Sequence, residues 1–533
     1  MSHLFSQIPR ANIQRSSFDR SHTYKTAMDC NYLVPFFVDE VLPGDTFNLK
    51  ATLFGRLSTP VVPIMDNLYL DTFYFYVPTR LVWSNWQKFN GEQDNPGDST
   101  SYLVPTVACD GTSGSIYDYM GIPYLEGNGA ASGTTIEVNS LPFRAYNLIW
   151  NEWFRDENLQ NSVTVPKGDG PDTASDFTLL KRGKRHDYFT SALPWPQKGP
   201  GVEISLGDTP VPVVLGNTFS SANTSVYQND IFSGAHAVMR HGDVYSIYTA
   251  DDHVPFDSKE SFASVGTTQG KQWPLYADLS AATAVTINSL RQAFQLQRLM
   301  ERDARGGTRY TEILRSHFGV ISPDSRLQRP EFLGGSSQRV SINPVQQTSA
   351  TDNTSPQGNL AAFGLVSQSD GGFKKSFVEH GYIIGLVNLR ADLNYQQGLN
   401  RMWSRQTRYD FYWPVLAHLG EQAILNKEIF ADGSSNDDEV FGYQERYAEY
   451  RYKPNMITGK MRSTDPTPLD VWHLAQKFSN LPTLSSQFIE ENVPLDRALA
   501  VQNEPDLILD CYFKLSCVRP MPVYSVPGLV DHF

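Results

Sequence analysis

The chain has 533 residues, a formal net charge of −13, 19% charged residues and 12% aromatic ones. Length alone allows several ordinary domains, or one sandwich or barrel with large loops. The acidic balance rules out a surface that attracts polyanions as a whole, and the four cysteines, with no C-x-x-C pair, rule out a disulfide framework.

No apolar run approaches the roughly 18 residues of a membrane span. The opening MSHLFSQIPR lacks a positive stretch followed by an apolar one, so no signal peptide is expected. The charged fraction is below the roughly 25% typical of globular domains. Ring-rich, charge-poor surface often ends in subunit contacts; a large β-rich core would explain the same composition equally well.

Residues 1–33 are polar and show neither helical nor strand periodicity, so they read as an extended arm. Arg10, Arg15, Arg20 and Lys25 against Asp19 make this arm basic on an acidic body. From Val34 the texture changes to short apolar runs broken by Pro and Gly. In NLYLDTFYFYVP (67–78) the rings Phe73, Tyr74, Phe75 and Tyr76 are consecutive, which suits a strand covered on both faces and ended by Pro78. Many short strands between Gly/Pro turns predict a sandwich or barrel.

Few segments read as helices. Ile149, Trp150, Trp153 and Phe154 share one helical face within 141–160. Ile287, Leu290, Ala293, Leu296 and Met300 form a second stripe, stopped by Gly306-Gly307. Tyr310, Ile313, Leu314, His317 and Phe318 form a third, with Gly319 as its stop. Residues 200–285 stand apart. This stretch is rich in Gly, Ser, Thr, Asn and Ala, with Arg240, Lys259 and Lys271 against nine carboxylates. It reads as a surface insertion projecting from the frame.

A search for chemistry finds little. There is no phosphate loop and no nucleophile elbow, and Gly127-Asn-Gly129 lacks the third glycine of a dinucleotide fingerprint. His236, His241, Asp251, Asp252 and His253 fit no familiar zinc spacing, and solvated loop residues account for them better. NDDE (436–439) lacks the register of a calcium loop. Glu152 and Asp156 could imitate a glycosidase pair, but the wet side of an amphipathic helix is the simpler account. No catalytic residue, metal ligand or cofactor is expected.

Cations interleaved with rings are more informative. NRMWSRQTRYDFYWP (400–414) sets Arg401, Arg405 and Arg408 among Trp403, Tyr409, Phe411, Tyr412 and Trp413, and KRGKRH (181–186) is a compact cationic run. Guanidinium groups pair with phosphates and rings stack on unpaired bases; bridging of neighbouring subunits through Arg–carboxylate and stacking contacts is the simpler account of both segments. The candidate nucleic-acid contacts are Arg10, Arg15, Arg20, Lys25, Arg401, Trp403, Arg405 and Arg408.

Several segments resemble the major capsid protein family of gokushoviruses, small single-stranded DNA phages of the Microviridae. They include RLSTPVVPIMDNLYLDTFYFYVPTRLVWSNWQKFNGE (56–92), LPFRAYNLIWNEWFRDENLQ (141–160), RGKRHDYFTSALPWPQKGP (182–200), RGGTRYTEILRSHFGV (305–320), SPDSRLQRPEFLGGSSQRVSINPVQQTS (322–349), FGYQERYAEYRYKPNMITGKMR (441–462) and WHLAQKFSNLPTLSSQFIE (472–490). They run in order along nearly the whole chain, with a gap at 200–285.

The resemblance implies a mainly β fold, an eight-stranded antiparallel jelly roll with long inter-strand loops carrying a few helices. Residues 1–33 would be an interior-facing arm, 34–199 the first part of the core, 200–285 a threefold protrusion, and 286–533 the second part of the core with the C-terminal tail. It implies a T=1 icosahedral shell of 60 copies around circular single-stranded DNA, assembled in the host bacterial cytoplasm and found in the virion. Implied partners are a small basic DNA-binding protein, an internal scaffolding protein, a pilot protein and a host surface receptor. The competing reading is a carbohydrate-binding or adhesive β protein that forms no shell; a β-rich hydrolase comes third.

Overall fold

The computed structural model describes residues 14–202, 213–215, 237–240, 243–246, 275–277, 287–320, 328–349 and 356–524. The chain divides into two units, 1–199 with 300–533, and Pro200–Leu299. The second unit starts where the composition shifts, but it ends beyond residue 285 and takes in the first turns of a helix. Its described strands are Val213–Leu215 paired with Leu275–Ala277, and Ala237–Arg240 paired with Asp243–Ser246.

In the first unit the frame is built from β1 (Ser16–Asp19), β2 (His22–Met28), β3 (Val34–Val41), β4 (Thr46–Leu57), β5 (Leu68–Pro78), β6 (Glu331–Arg339), β7 (Ser341–Gln346), β8 (Leu360–Ser376), β9 (Gly381–Ala391) and β10 (Leu507–Arg519). One sheet runs β1-β10-β4-β8-β7, with β2 also on β10; the other runs β6-β5-β9-β3. All these pairings are antiparallel. β1 and β2 both pair with β10 and share one position in the first sheet, which leaves five strands in that layer and four in the other, two antiparallel layers consistent with a jelly roll.

The burial patterns explain the layers. In β4, Phe47, Leu49, Ala51 and Leu53 point inward while Asn48, Lys50, Thr52 and Phe54 point out, and β10 alternates in the same way. This sheet therefore has one packed and one open face. Rings close the sandwich: Phe513 of β10 lies 5.1 Å from Phe37 and 5.4 Å from Phe36 of β3, and Tyr74 lies 5.6 Å from Phe373 of β8. Each buried Phe contributes about 1.5–3 kcal/mol.

The second sheet is covered on both sides, and every residue of β9 is buried. Its far face, including Phe75, Val77, Ile384 and Leu386, packs against Trp83 and against Leu141, Phe143, Tyr146 and Ile149 of α1 (Leu141–Ile149). The ring run 73–76 is thus a doubly covered strand, as its pattern predicts. α2 (Ile287–Gly306) and α3 (Tyr310–Phe318) follow the other two stripes, and Gly319 ends α3 with φ +69°, a left-handed stop that a glycine adopts without a Cβ clash.

Residues 16–28 differ from the expectation of an irregular arm. They are strands, paired with β10 at the far end of the chain: Tyr24 opposes Cys511 and Phe18 opposes Cys517. Their exposed positions are Ser17, Asp19, His22, Thr23 and Lys25, so an edge strand with one wet face carries little apolar periodicity to read. The helix over 141–160 holds its whole stripe but stops short of residue 160, because α1 passes into a π-helical turn at Trp150–Phe154 and then ends.

Candidate nucleic-acid and subunit interfaces

The predicted contact residues of the arm sit on the first sheet, apart from Arg10, which lies outside the described residues. The Arg15 guanidinium donates to the Gly44 carbonyl and, at 3.3 Å, to Thr46 Oγ1. Arg20 grips Asp39 through both terminal nitrogens, one at 3.0 Å. Lys25 stands 2.7 Å from Asp510, on the open face.

The second set clusters in the loop between β9 and β10. Arg401 donates to Glu428 at 2.8 Å and to the Ala423 carbonyl at 2.7 Å. Glu428 also accepts from the Tyr188 hydroxyl at 2.8 Å; burial raises its carboxyl pKa, and Arg401 opposes that shift. Arg405 reaches Glu449 at 3.2 Å and lies 4.3 Å from the Tyr450 ring centre. Arg408 lies over Tyr409 and Trp413, at 5.4 and 5.2 Å.

Two of these three guanidiniums are therefore neutralised by carboxylates of the same chain. What the loop offers outward is rings: Trp403 is 70% exposed, and Met402, Tyr409, Phe411, Tyr412, Trp413 and Val415 are exposed beside it. A single chain gains nothing by holding this surface in water.

KRGKRH does not form an open cationic patch, because neighbouring side chains part company. Arg182 donates to Asp71, and Lys184 donates to the Phe488 carbonyl with its pKa pushed down to about 8 by burial. Both line a cavity of about 440 Å3 walled by Phe73, Phe75, Trp153, Phe154 and Phe332.

The carboxylates weighed for chemistry have structural tasks. Glu152 accepts from Arg309 at 3.0 Å, and Asp156, beyond the helix end and not on its wet side, accepts from the Asn158 and Leu159 amides. Asp437 and Asp438 fold their own turn and hold Lys427. No group of three or more His, Cys, Asp or Glu that could hold a metal occurs among the described residues. His236, His241, Asp251, Asp252 and His253 lie outside them.

Sequence reasoning missed one set of cations. Lys50, Arg56, Lys374 and Lys514 are scattered along the chain, but the strand register gathers them on the open face of the first sheet. The only signal was the alternation in TFNLKATLFGRL and LILDCYFKLSCVR, whose outward positions include Lys50, Arg56 and Lys514.

Comparison with known proteins gives this architecture its place. Residues 6–529 match the family model described as "Capsid protein (F protein)". The "Capsid protein VP1" of Bdellovibrio phage phiMH2K is 50% identical across 100% of this chain and 98% of that relative. Its namesake in Chlamydia phage 1 is 48% identical over 99% and 98% of the two chains, and that of Spiroplasma virus 4 is 38% identical over 99% and 97%. Two packed β layers, outsized loops and outward rings agree with what these relatives are named for. The chain belongs to the F-protein family of phage capsid proteins, in the gokushovirus branch of the Microviridae, and is a component of the virion.

Proposed function

We propose that copies of this chain close into a T=1 icosahedral shell of 60 subunits around a circular single-stranded DNA genome. The observation that carries this reading is the exposed ring surface at 402–415, where Arg401 and Arg405 are already paired with carboxylates of the same chain. Such a surface fits a neighbour made of protein better than a free strand, and closed symmetry turns one patch into sixty identical contacts. Trp403, with Arg401, Arg405 and Arg408 holding its loop in place, is thus read as a subunit anchor. The shell has no catalytic step to perform.

Residues 200–285 would stand outward at the threefold axes and meet the host receptor, and the residues before β1, including Arg10, would face the interior. A chain at −13 cannot neutralise a packaged polyanion by itself, so a small basic DNA-binding protein would supply cations. An internal scaffolding protein and a pilot protein would complete the assembly in the host cytoplasm.

Electron microscopy and sedimentation of the purified chain test this. Uniform small isometric particles are expected, and Trp403→Asp should leave a folded, slowly sedimenting chain. A wild-type monomer with its rings in water would overturn the reading.

A further inference from the structure

The open face of the first sheet carries an arrangement separate from the ring surface at 402–415. On β4 the outward residues are Asn48, Lys50, Thr52, Phe54 and Arg56; on β10 they are Ile508, Asp510, Tyr512, Lys514 and Ser516. Across the ladder Lys514 stands directly opposite Lys50, Ile508 opposite Arg56, and Asp510 opposite Phe54. Lys374 of β8 opposes Asn48, and Lys25 of β2 opposes Asp510.

Like charges directly opposed on neighbouring strands destabilise a sheet. Lys50 and Lys514 are so placed, and no ion pair to Lys50, Arg56, Lys374 or Lys514 occurs among the described residues. The carboxylates described on this face are Asp510, held by Lys25, and Asp19, bonded to Ser21 with Lys514 as a further, weaker influence. Five cations therefore face two carboxylates on a chain whose total charge is −13. Between them Phe54 is 51% exposed and Tyr512 46% exposed. Their register makes them diagonal neighbours, within reach of one another along the sheet.

We infer that this face, centred on Lys50, Lys514, Phe54 and Tyr512, is a binding surface for single-stranded nucleic acid. The inference rests on the reading of the chain as a shell around such a strand. Cations take the phosphates, the two rings offer π-faces to unpaired bases, and the intervening Thr, Ser and Asn side chains are short enough to let a strand lie flat. Outward residues recur about every 6.8 Å along a strand, so the cations form a grid and not a point site. A duplex, whose bases are closed to stacking, would use only the cations. An acidic protein surface would have no use for the rings as base platforms.

The test uses the full-length chain, dissociated from particles, and a labelled oligo-dT in a salt series, read by fluorescence anisotropy. Circular dichroism and electron microscopy check folding and shell formation for each variant. Lys50→Gln/Arg56→Gln/Lys374→Gln/Lys514→Gln should lower the slope of log affinity against log salt by about 0.7 for each phosphate left without its cation, about 3 in all. Phe54→Ala/Tyr512→Ala should weaken oligo-dT binding about tenfold or more with the slope unchanged, and leave duplex binding as it was.

Wild-type binding by both variants overturns the inference while leaving the shell reading intact. Variants that fold but form no particles, with oligo-dT binding kept, make this face a subunit contact and also overturn it. Equal competition by an acidic polypeptide of matched charge overturns the nucleic-acid assignment. A wild-type chain that forms no particles but shows both variant effects supports this surface and removes the shell reading.

Discussion

The Arg144 guanidinium and the Asp172 carboxylate lock together in two parallel bonds of 2.6 and 2.7 Å, with side chains 0% and 3% exposed. Arg144 spends its other donors on the Val82 and Gly168 carbonyls, at 3.0 and 2.9 Å. The pair sits where α1 covers the far face of the second sheet, so it ties two loop segments, at Val82 and at 168–172, to the layer behind the sandwich.

Arg144→Met strands a buried carboxylate. The expected loss is about 3–5 kcal/mol, because one charge stays desolvated without its partner. Chemical denaturation of the variant should show a lower midpoint, and Arg144→Met/Asp172→Leu should recover much of it. A single variant as stable as wild type would mean that the pair is solvated in practice.

Glu491 gives stability a pH slope. Burial raises its carboxyl to about 7, against the opposing pull of Arg182 and Arg390, and one of its oxygens has no partner. The folded state therefore holds a proton that the unfolded chain releases near 4.5. The associated stability is complete below pH 4.5 and is lost as pH rises to about 7. Glu491→Gln should flatten that segment of a melting-temperature profile. Lys184, pushed down to about 8 by burial, adds a rise in stability only above pH 8. A wild-type profile unaltered by Glu491→Gln would remove the assignment.

Thiol chemistry should be silent in the native protein. Cys30, Cys109, Cys511 and Cys517 are all buried and free, and burial raises every one of their pKa values, that of Cys511 to about 12. A thiolate-seeking reagent should label none of them at neutral pH and all four in denaturant. Fast labelling of one cysteine in the folded chain would expose a local opening that the sandwich does not predict.

The helices were legible because their stripes are local: Tyr310 to Phe318 needs only its own nine residues to declare a face. The double cover of β5 was legible for the same reason, since consecutive rings admit no wet side. β1 and β2 were not, because what makes them strands is the edge of β10, which lies nearly the whole chain length away. In the cationic runs it was the direction of each side chain that could not be read. In 181–186 adjacent residues share a sequence neighbourhood but not a direction, so Arg182 turns to Asp71 and Lys184 to the Phe488 carbonyl.

Sequence by itself determined the β-rich class, the three helical stripes, the compositional break at residue 200 and membership of the capsid family, because each depends on residue type or short-range order. Only the tertiary structure decided that Lys50 faces Lys514, that Arg401 and Arg405 are neutralised within their own loop, and that the rings around Trp403 stay exposed on the single chain. Strand register and loop packing bring together residues hundreds of positions apart. A charge in such a fold is read correctly only when the group across from it is known.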